Sequence, residues 1–128
     1  MIATTRRQFT GGAAATLLAG FGEGSGRAAP MEQLYGLIGE MKAAPGKRAE
    51  LIGYLLEGTG AMPGNLAYLI AEDTANPDSI WITEVWQTQA DHAASLALPA
   101  VQATIAKARP LIAGFGTRVE TRPVTASR

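Results

Sequence analysis

Apolar and polar residues alternate in four segments of the chain, and between these segments apolar residues recur at intervals of three and four. Alternation is typical of half-buried strands, and it covers residues 34–43, 65–73, 79–87 and 115–124. Helical spacing covers residues 47–58 and 89–112, with an interruption before Pro99. The pattern therefore predicts the order β-α-β-β-α-β, which is a ferredoxin-like α+β fold.

Turn-forming residues support these boundaries. The run Thr74–Asp78 predicts that the second and third strands form a hairpin. Thr88 is a suitable N-cap for the second helix, with Asp91 close to its positive end. In the fourth strand, alternation predicts Phe115, Thr117 and Val119 on one face and Arg118, Glu120 and Arg122 on the other.

Four strands with helices on one face leave the other face of the sheet uncovered. That face would carry Leu, Ile, Tyr and Trp side chains, and an apolar surface of this size indicates a partner. The simplest partner is a second copy related by a two-fold axis. We therefore expect a homodimer in which two sheets pack face to face as a dimeric α+β barrel.

The N-terminal segment has the composition of an export signal. Arg6 and Arg7 are followed by Phe9, by a weakly apolar run rich in Gly and Ala, and by the small pair Ala28-Ala29. The order resembles a twin-arginine signal peptide, although a disordered tail with two adjacent arginines would look similar. We expect the twin-arginine export machinery to translocate the protein and signal peptidase to remove residues 1–29, leaving residues 30–128 as one periplasmic or secreted domain.

Composition excludes several functional classes. The 128 residues carry 11 basic and 11 acidic side chains. The segment after residue 29 is slightly acidic and has no basic stripe, which argues against nucleic acid. The sequence has no cysteine and one histidine, so a zinc site of the usual kind is not expected. No segment after residue 29 is long and apolar enough for stable membrane insertion.

Candidate chemistry concentrates where the third strand meets the second helix. His92 is the only imidazole and a natural base near neutral pH. Glu84 shares a strand face with apolar residues, so desolvation would raise its pKa, and it could act as the base or orient His92. A helix-capping role for His92 and a structural role for Glu84 are the competing interpretations.

Four further residues are candidates for substrate contacts. Trp86 and Tyr68 could form walls for a planar ligand, although both could equally belong to the core. Asn65 and Tyr35 could donate hydrogen bonds to a substrate.

Seven motifs in this order resemble the antibiotic biosynthesis monooxygenase family, which includes quinol monooxygenases. They are Ala44–Arg48, Met62–Asn65, Tyr68, Glu84–Trp86, Asp91-His92, Pro99–Gln102 and Ala108–Ile112. The resemblance covers about residues 34–124. It implies a dimeric α+β barrel, with the last strand reaching across to the other subunit.

The resemblance also implies a reaction. Family members oxygenate quinols, anthrones and similar electron-rich aromatic substrates with O2, without metal, haem or flavin. Haem-degrading members carry an Asn on the first strand and a His well inside the second helix. Here the first strand has no Asn and no His follows His92, so haem binding is not carried over. Two alternatives stay open: a non-enzymatic dimer that binds a small molecule, and an oxygen-independent isomerase.

Overall fold

The computed structural model describes residues 34–126, and the expected signal segment 1–29 lies outside them. The elements in chain order are β1 Tyr35–Ala43, α1 Arg48–Gly58, β2 Asn65–Glu72, β3 Ser79–Trp86, α2 Gln89–Ser95, α3 Pro99–Ala108, a 3-10 turn Arg109–Leu111 and β4 Ile112–Thr121. Within this part of the chain, the strands form one antiparallel sheet in the order β2-β3-β1-β4. The predicted ferredoxin-like arrangement and the β2–β3 hairpin are confirmed.

The helices cover one face of the sheet. Leu51 and Leu55 of α1 are buried against Ile80 and Ile82 of β3, and Ala108 of α3 completes this cluster. The leucines are four residues apart, so they lie on one side of α1. Leu51 and Leu55 therefore form the surface by which α1 packs on the sheet, whereas Leu56, which the helical spacing placed in the same stripe, is 64% exposed.

Arg48 connects the start of α1 to the β2–β3 hairpin. Its guanidinium donates hydrogen bonds to the carbonyl oxygens of Asp73, Asn76 and Ser79, at 3.0, 3.0 and 3.2 Å. The carbonyl oxygens of Asn76 and Ser79 also accept backbone N–H bonds within the hairpin, at 3.2 and 3.1 Å, and the two lone pairs of a carbonyl oxygen allow both bonds. One side chain thus fixes the helix relative to the hairpin.

The opposite face of the sheet has no helix among the described residues. Cross-strand pairing places Leu69, Thr83, Ile38 and Val119 in one row across all four strands of the described sheet. Leu69 is 61% exposed, Val119 45% and Ile38 37%. The expected Tyr side chains are not on this face, because Tyr35 and Tyr68 share the register of helix-side residues.

The second helical region is shorter than predicted. α2 ends at Ser95, whereas the sequence predicted a helix to about Leu98. Leu98 has an extended conformation, with φ −66° and ψ 136°. A residue that precedes proline is disfavoured in the helical conformation, so Pro99 separates α2 from α3.

The fourth strand begins earlier than predicted. It starts at Ile112, which the helical spacing had placed in the preceding helix, and it ends at Thr121. Pro110 lies in the 3-10 turn that ends the helical region, consistent with its inability to continue an α-helix. The predicted boundary at Phe115 was therefore wrong by three residues.

A β-bulge also changes the predicted faces of β4. Gly39 pairs with Arg118, but Met41 pairs with Phe115, so β4 has one extra residue between these pairs. An extra residue reverses the alternation, and Phe115 therefore lies on the same face as Arg118. The prediction that Phe115 shares a face with Val119 was wrong.

Helices long and apolar enough to cross a membrane are absent from the described residues.

We expect Gly58→Ala to destabilise the protein by about 1–3 kcal/mol, because overpacking strains a closely packed contact. A Cβ on Gly58 would overlap the side chain of Thr104 on α3. Gly53 on the same helix has no atom within 4 Å of its Cβ position. Gly53→Ala is the control and should stabilise by about 0.5–1 kcal/mol. Urea denaturation measures both values, and equal effects of the two substitutions would contradict the proposed helix contact.

Candidate functional site

Glu84 occupies the helix-covered face at the centre of the sheet. Its cross-strand partners are Tyr68 on β2 and Leu37 on β1. The indole Nε1 of Trp86 donates a hydrogen bond to Glu84 Oε1 at 2.8 Å, and the Glu84 side chain is 14% exposed. Strand residues two apart point to the same face, which is why Trp86 can reach this carboxylate. The bond orients Glu84 and satisfies the buried indole.

His92 approaches Glu84 from α2. The helix is capped by Thr88, whose hydroxyl accepts a hydrogen bond from the backbone N–H of Asp91 at 3.0 Å, as predicted. His92 Nε2 lies 3.8 Å from Glu84 Oε1, and the His92 side chain is 16% exposed. This distance is too long for a direct hydrogen bond. It does allow attraction between the carboxylate and a protonated imidazole.

Two aromatic rings enclose the imidazole of His92. The Tyr35 ring centroid lies 5.4 Å from that of His92 with an interplanar angle of 36°, and the Trp86 ring lies at 5.5 Å with an angle of 70°. Both separations are typical of packed aromatic pairs. Trp86 is 1% exposed, so it supports Glu84 and His92 from within the core.

Tyr35 and Asn65 are engaged in contacts within the protein. The Tyr35 hydroxyl donates to Glu120 Oε2 at 2.7 Å, and burial together with this bond raises the pKa of Tyr35. The Asn65 amide donates to the carbonyl oxygens of Ala67 at 3.1 Å and Val85 at 3.4 Å. Asn65 thereby bridges the irregular start of the β2–β3 pairing.

Two cavities open on the helix-covered face. The larger has a volume of about 640 Å³ and is lined mainly by apolar side chains of both flanking helices and of β1 and β4, together with Tyr68. The smaller, of about 200 Å³, is lined in part by Glu84. Met41 and Phe115 line both cavities, so the two are adjacent. The larger volume is within the range of small-molecule sites.

The predicted site residues thus fall into two groups. Glu84 and Tyr68 line cavities, whereas His92, Trp86, Tyr35 and Asn65 line neither of the two. Trp86 and His92 nevertheless lie next to the Glu84 carboxylate, and Tyr35 packs against the ring of His92. Asn65 lies beside them, since it is the cross-strand partner of Trp86.

The hydroxyl of Tyr68 has no hydrogen-bond partner among the described residues. The hydroxyl makes no hydrogen bond to the side chains or backbone of residues 34–126. Burial raises the pKa of Tyr68 far above its ordinary value, and the charge of Glu84 adds to the shift. The hydroxyl therefore stays protonated and can donate to a ligand.

Gly39, Met41 and Phe115 line the smaller cavity and were not among the predicted site residues. Gly39 has no side chain on the helix-covered face between Leu37 and Met41, and this leaves space beside Glu84. A glycine inside a strand often marks a bulge or a close approach, and this was the available signal. Met41 and Phe115 carried no signal of their own, since the bulge that aligns them depends on pairing.

No group of three or more His, Cys, Asp or Glu side chains that could hold a metal ion occurs among residues 34–126. The carboxylates of Glu84 and Glu120 instead accept hydrogen bonds from Trp86 and Tyr35.

The fold and the site define a ferredoxin-like α+β protein with a ligand-sized apolar cavity between its sheet and helices. The family model described as antibiotic biosynthesis monooxygenase matches residues 34–107. This match spans more than half of the chain, and the chain belongs to that family. No curated protein matches the sequence.

Solved structures agree with this assignment. A protein of Chloroflexus aurantiacus J-10-fl, provisionally named an antibiotic biosynthesis monooxygenase, is 54% identical, with a TM-score of 0.71 over 73% of this chain and 95% of that chain. A protein of Caulobacter crescentus CB15 with the same provisional name is 17% identical, with a TM-score of 0.66 over 79% of this chain and 99% of that chain. A conserved protein of Methanosarcina mazei Go1 is 13% identical, with a TM-score of 0.64 over 74% of this chain and 97% of that chain. The last two show the fold alone.

We expect Tyr68 to make the stability of the protein fall at alkaline pH. Its pKa is raised in the folded state, whereas the unfolded hydroxyl loses its proton at about pH 10. Above that pH the folded state binds more protons than the unfolded state, so the free energy of unfolding decreases as pH rises. Urea denaturation from about pH 9 to pH 11 should show a smaller decrease in Tyr68→Phe. Parallel curves for the two proteins would contradict the assignment.

Proposed function

We propose that this protein is an exported, cofactor-independent monooxygenase that oxidises a quinol or a similar electron-rich aromatic substrate with O2. The observation that carries the proposal is Glu84, a largely buried carboxylate that lines a cavity and is oriented by Trp86. Membership of the antibiotic biosynthesis monooxygenase family supports the reaction class.

The proposed reaction begins with proton transfer from the substrate to Glu84. A positioned base lowers the barrier to forming the substrate anion, and the apolar cavity keeps water away from that anion. The anion passes one electron to O2, and the resulting substrate radical combines with superoxide to give a peroxide anion, which takes back the proton held by Glu84. Loss of water from the peroxide leaves one oxygen atom in the product as a carbonyl. Both electron pairs needed to reduce O2 come from the bonds of the substrate, so no further reductant is required.

The surrounding residues have separate roles in this proposal. Trp86 holds the carboxylate, and a protonated His92 would stabilise its charge from behind the cavity wall. Tyr68 lies opposite Glu84 in the adjacent strand and presents a protonated hydroxyl to the larger cavity. It would donate a hydrogen bond to an oxygen atom of the substrate and orient the ring.

We expect Glu84→Gln to lower the rate of oxygen uptake about 100-fold or more, which is the usual contribution of a general base. The amide keeps an oxygen that can accept the Trp86 hydrogen bond. Oxygen uptake by the purified, metal-free protein would be measured with a panel of hydroquinones and anthrones above the autoxidation blank. Glu50→Gln, which changes a half-exposed carboxylate on α1, is the matched control.

Two further variants test which residue is the base and whether the reaction uses the smaller cavity. His92→Gln should reduce the rate less than Glu84→Gln, and the reverse order would move the base to His92. Gly39→Val fills the smaller cavity without altering a polar group, since the Cβ position has only Thr117 O within 4 Å, at 3.9 Å. Full activity of Gly39→Val would show that the reaction does not use this cavity.

Two alternative functions are tested by the same assay. The size and apolar lining of the larger cavity favour binding of a small hydrophobic molecule, and saturable binding without turnover would identify a binding protein. Turnover that continues at the same rate without O2 would identify an isomerase. Oxygen uptake that requires Glu84 contradicts both alternatives.

We propose further that the protein is a homodimer formed through the helix-free face of the sheet. The row of Leu69, Ile38 and Val119 exposes three large apolar side chains on adjacent parts of one surface. A contiguous apolar patch of this kind is typical of a protein interface. A two-fold axis through the row would let each copy cover the other.

We expect Ile38→Lys to convert the dimer to a monomer, because it would bury an unpaired charge at the centre of the interface. Light scattering after size-exclusion chromatography measures the mass. Leu56→Lys changes an apolar residue on α1 that is 64% exposed and should leave the mass of the dimer unchanged. A wild-type protein that is monomeric at micromolar concentration would contradict the dimer proposal.

The export proposal rests on the sequence of residues 1–29, with Arg6 and Arg7 as the paired arginines. Replacing both arginines by lysine should leave the protein in the cytoplasm, because the pair is the feature of the twin-arginine signal. Cell fractionation measures the distribution. An unchanged periplasmic yield of the double variant would contradict export by this route.

A further inference from the structure

Arg109 brings a positive charge to the edge of the larger cavity. It lies at the end of α3, where the 3-10 turn begins, and it is an exposed residue that lines the cavity. Among the described residues that line this cavity, the others are apolar or uncharged. The cavity therefore has an apolar interior and a single cationic point at its rim.

This charge has no carboxylate partner within residues 34–126. Six pairs of acidic and basic side chains within 4.0 Å occur there, among them Glu57–Lys107, Glu72–Arg48 and Glu120–Arg118. Arg109 takes part in none of these pairs. A guanidinium always carries its charge and has five N–H donors arranged to bind a planar anion. Arg109 can offer these donors to a ligand.

We propose that the larger cavity binds an aromatic molecule that carries an acidic group, with the rings in the apolar interior and the carboxylate or sulfonate on Arg109. A charge-assisted, two-pronged hydrogen bond at the rim adds orientation as well as affinity. The rim contact fixes one end of the molecule. The opposite end then lies toward Met41 and Phe115, which line both this cavity and the cavity of Glu84.

The inference names the substrate class for the proposed oxygenase and in that respect rests on the proposed function. The binding step can be measured separately from turnover. A pair of redox-stable naphthalene probes that differ in one group serves this purpose: 2-naphthol, and 6-hydroxy-2-naphthoic acid, which adds a carboxylate. Fluorescence titration of the full-length protein under argon gives the Kd of each probe.

We expect the acid to bind about tenfold or more tightly than the neutral probe, as is usual for hydrogen bonds to charged groups. Arg109→Gln should remove this preference while changing the Kd of 2-naphthol by less than about twofold. Arg109→Lys should retain part of the preference, because it keeps the charge but loses the planar donor pair. Arg122→Gln removes an exposed arginine that lines neither cavity and should bind both probes as the wild type does.

Two results would overturn the inference. One is equal affinity of the wild-type protein for the two probes. The other is a preference for the acid that survives Arg109→Gln. Arg109 could instead have a purely structural role, since a cation is favourable at the end of a helix. In that case Arg109→Gln would lower the Tm but leave the ratio of the two Kd values unchanged. The preference for the acid would then survive the substitution, which is the second of these results.

Oxygen uptake with neutral and acidic hydroquinones distinguishes this inference from the proposed reaction. Uptake without a preference for the acid would contradict only the role of Arg109. A preference for the acid in binding, without uptake of oxygen, would contradict only the monooxygenase.

Discussion

The antiparallel pairing of β1 with β3 is the constraint on which the rest of the structure depends. These two strands occupy the centre of the sheet, and each of them also pairs with an edge strand. Their register places Leu37 opposite Glu84 and Tyr35 opposite Trp86. A shift by one residue would turn every one of these side chains to the other face. The site therefore exists only in this register.

The two faces of the sheet have different roles because only one of them is covered by helices among the described residues. On the covered face, polar groups must find partners or open onto a cavity. Trp86 gives Glu84 a partner, and Tyr35 gives one to Glu120. Tyr68 lines the larger cavity, and its hydroxyl has no hydrogen-bond partner within residues 34–126. On the uncovered face the exposed side chains are mainly apolar, which suits contact with another protein surface.

The residues of the candidate site could be predicted from the sequence, but their distances and contacts could be predicted only in part. Glu84 and Trp86 are two residues apart in an obvious strand, so their common face follows from the period of a strand. The distance of 3.8 Å between Glu84 and His92 depends on how α2 packs over that strand. The amino-acid sequence alone does not predict the distance between these two side chains. The division between residues that line a cavity and residues that support it likewise depends on packing.

The bulge in β4 is a feature that the local sequence pattern did not predict. Alternation continues through this strand in the sequence, and it placed Phe115 beside Val119. One additional residue opposite β1 moved Phe115 to the cavity side instead. A bulge is set by the register of two strands far apart in the chain, so a pattern within one strand cannot reveal it.

By itself, the sequence determined the order of elements, the helix cap at Thr88 and the break at Pro99, because periodicity, capping and proline geometry act over a few residues. It also determined the family, since the motifs occur in order along the chain. Tertiary structure alone decided that Gly39 leaves space beside Glu84, that Phe115 joins the two cavities and that Arg109 stands at the rim of one of them. These features arise where segments distant in sequence meet, and the physical reason is that cavities are formed by packing between elements.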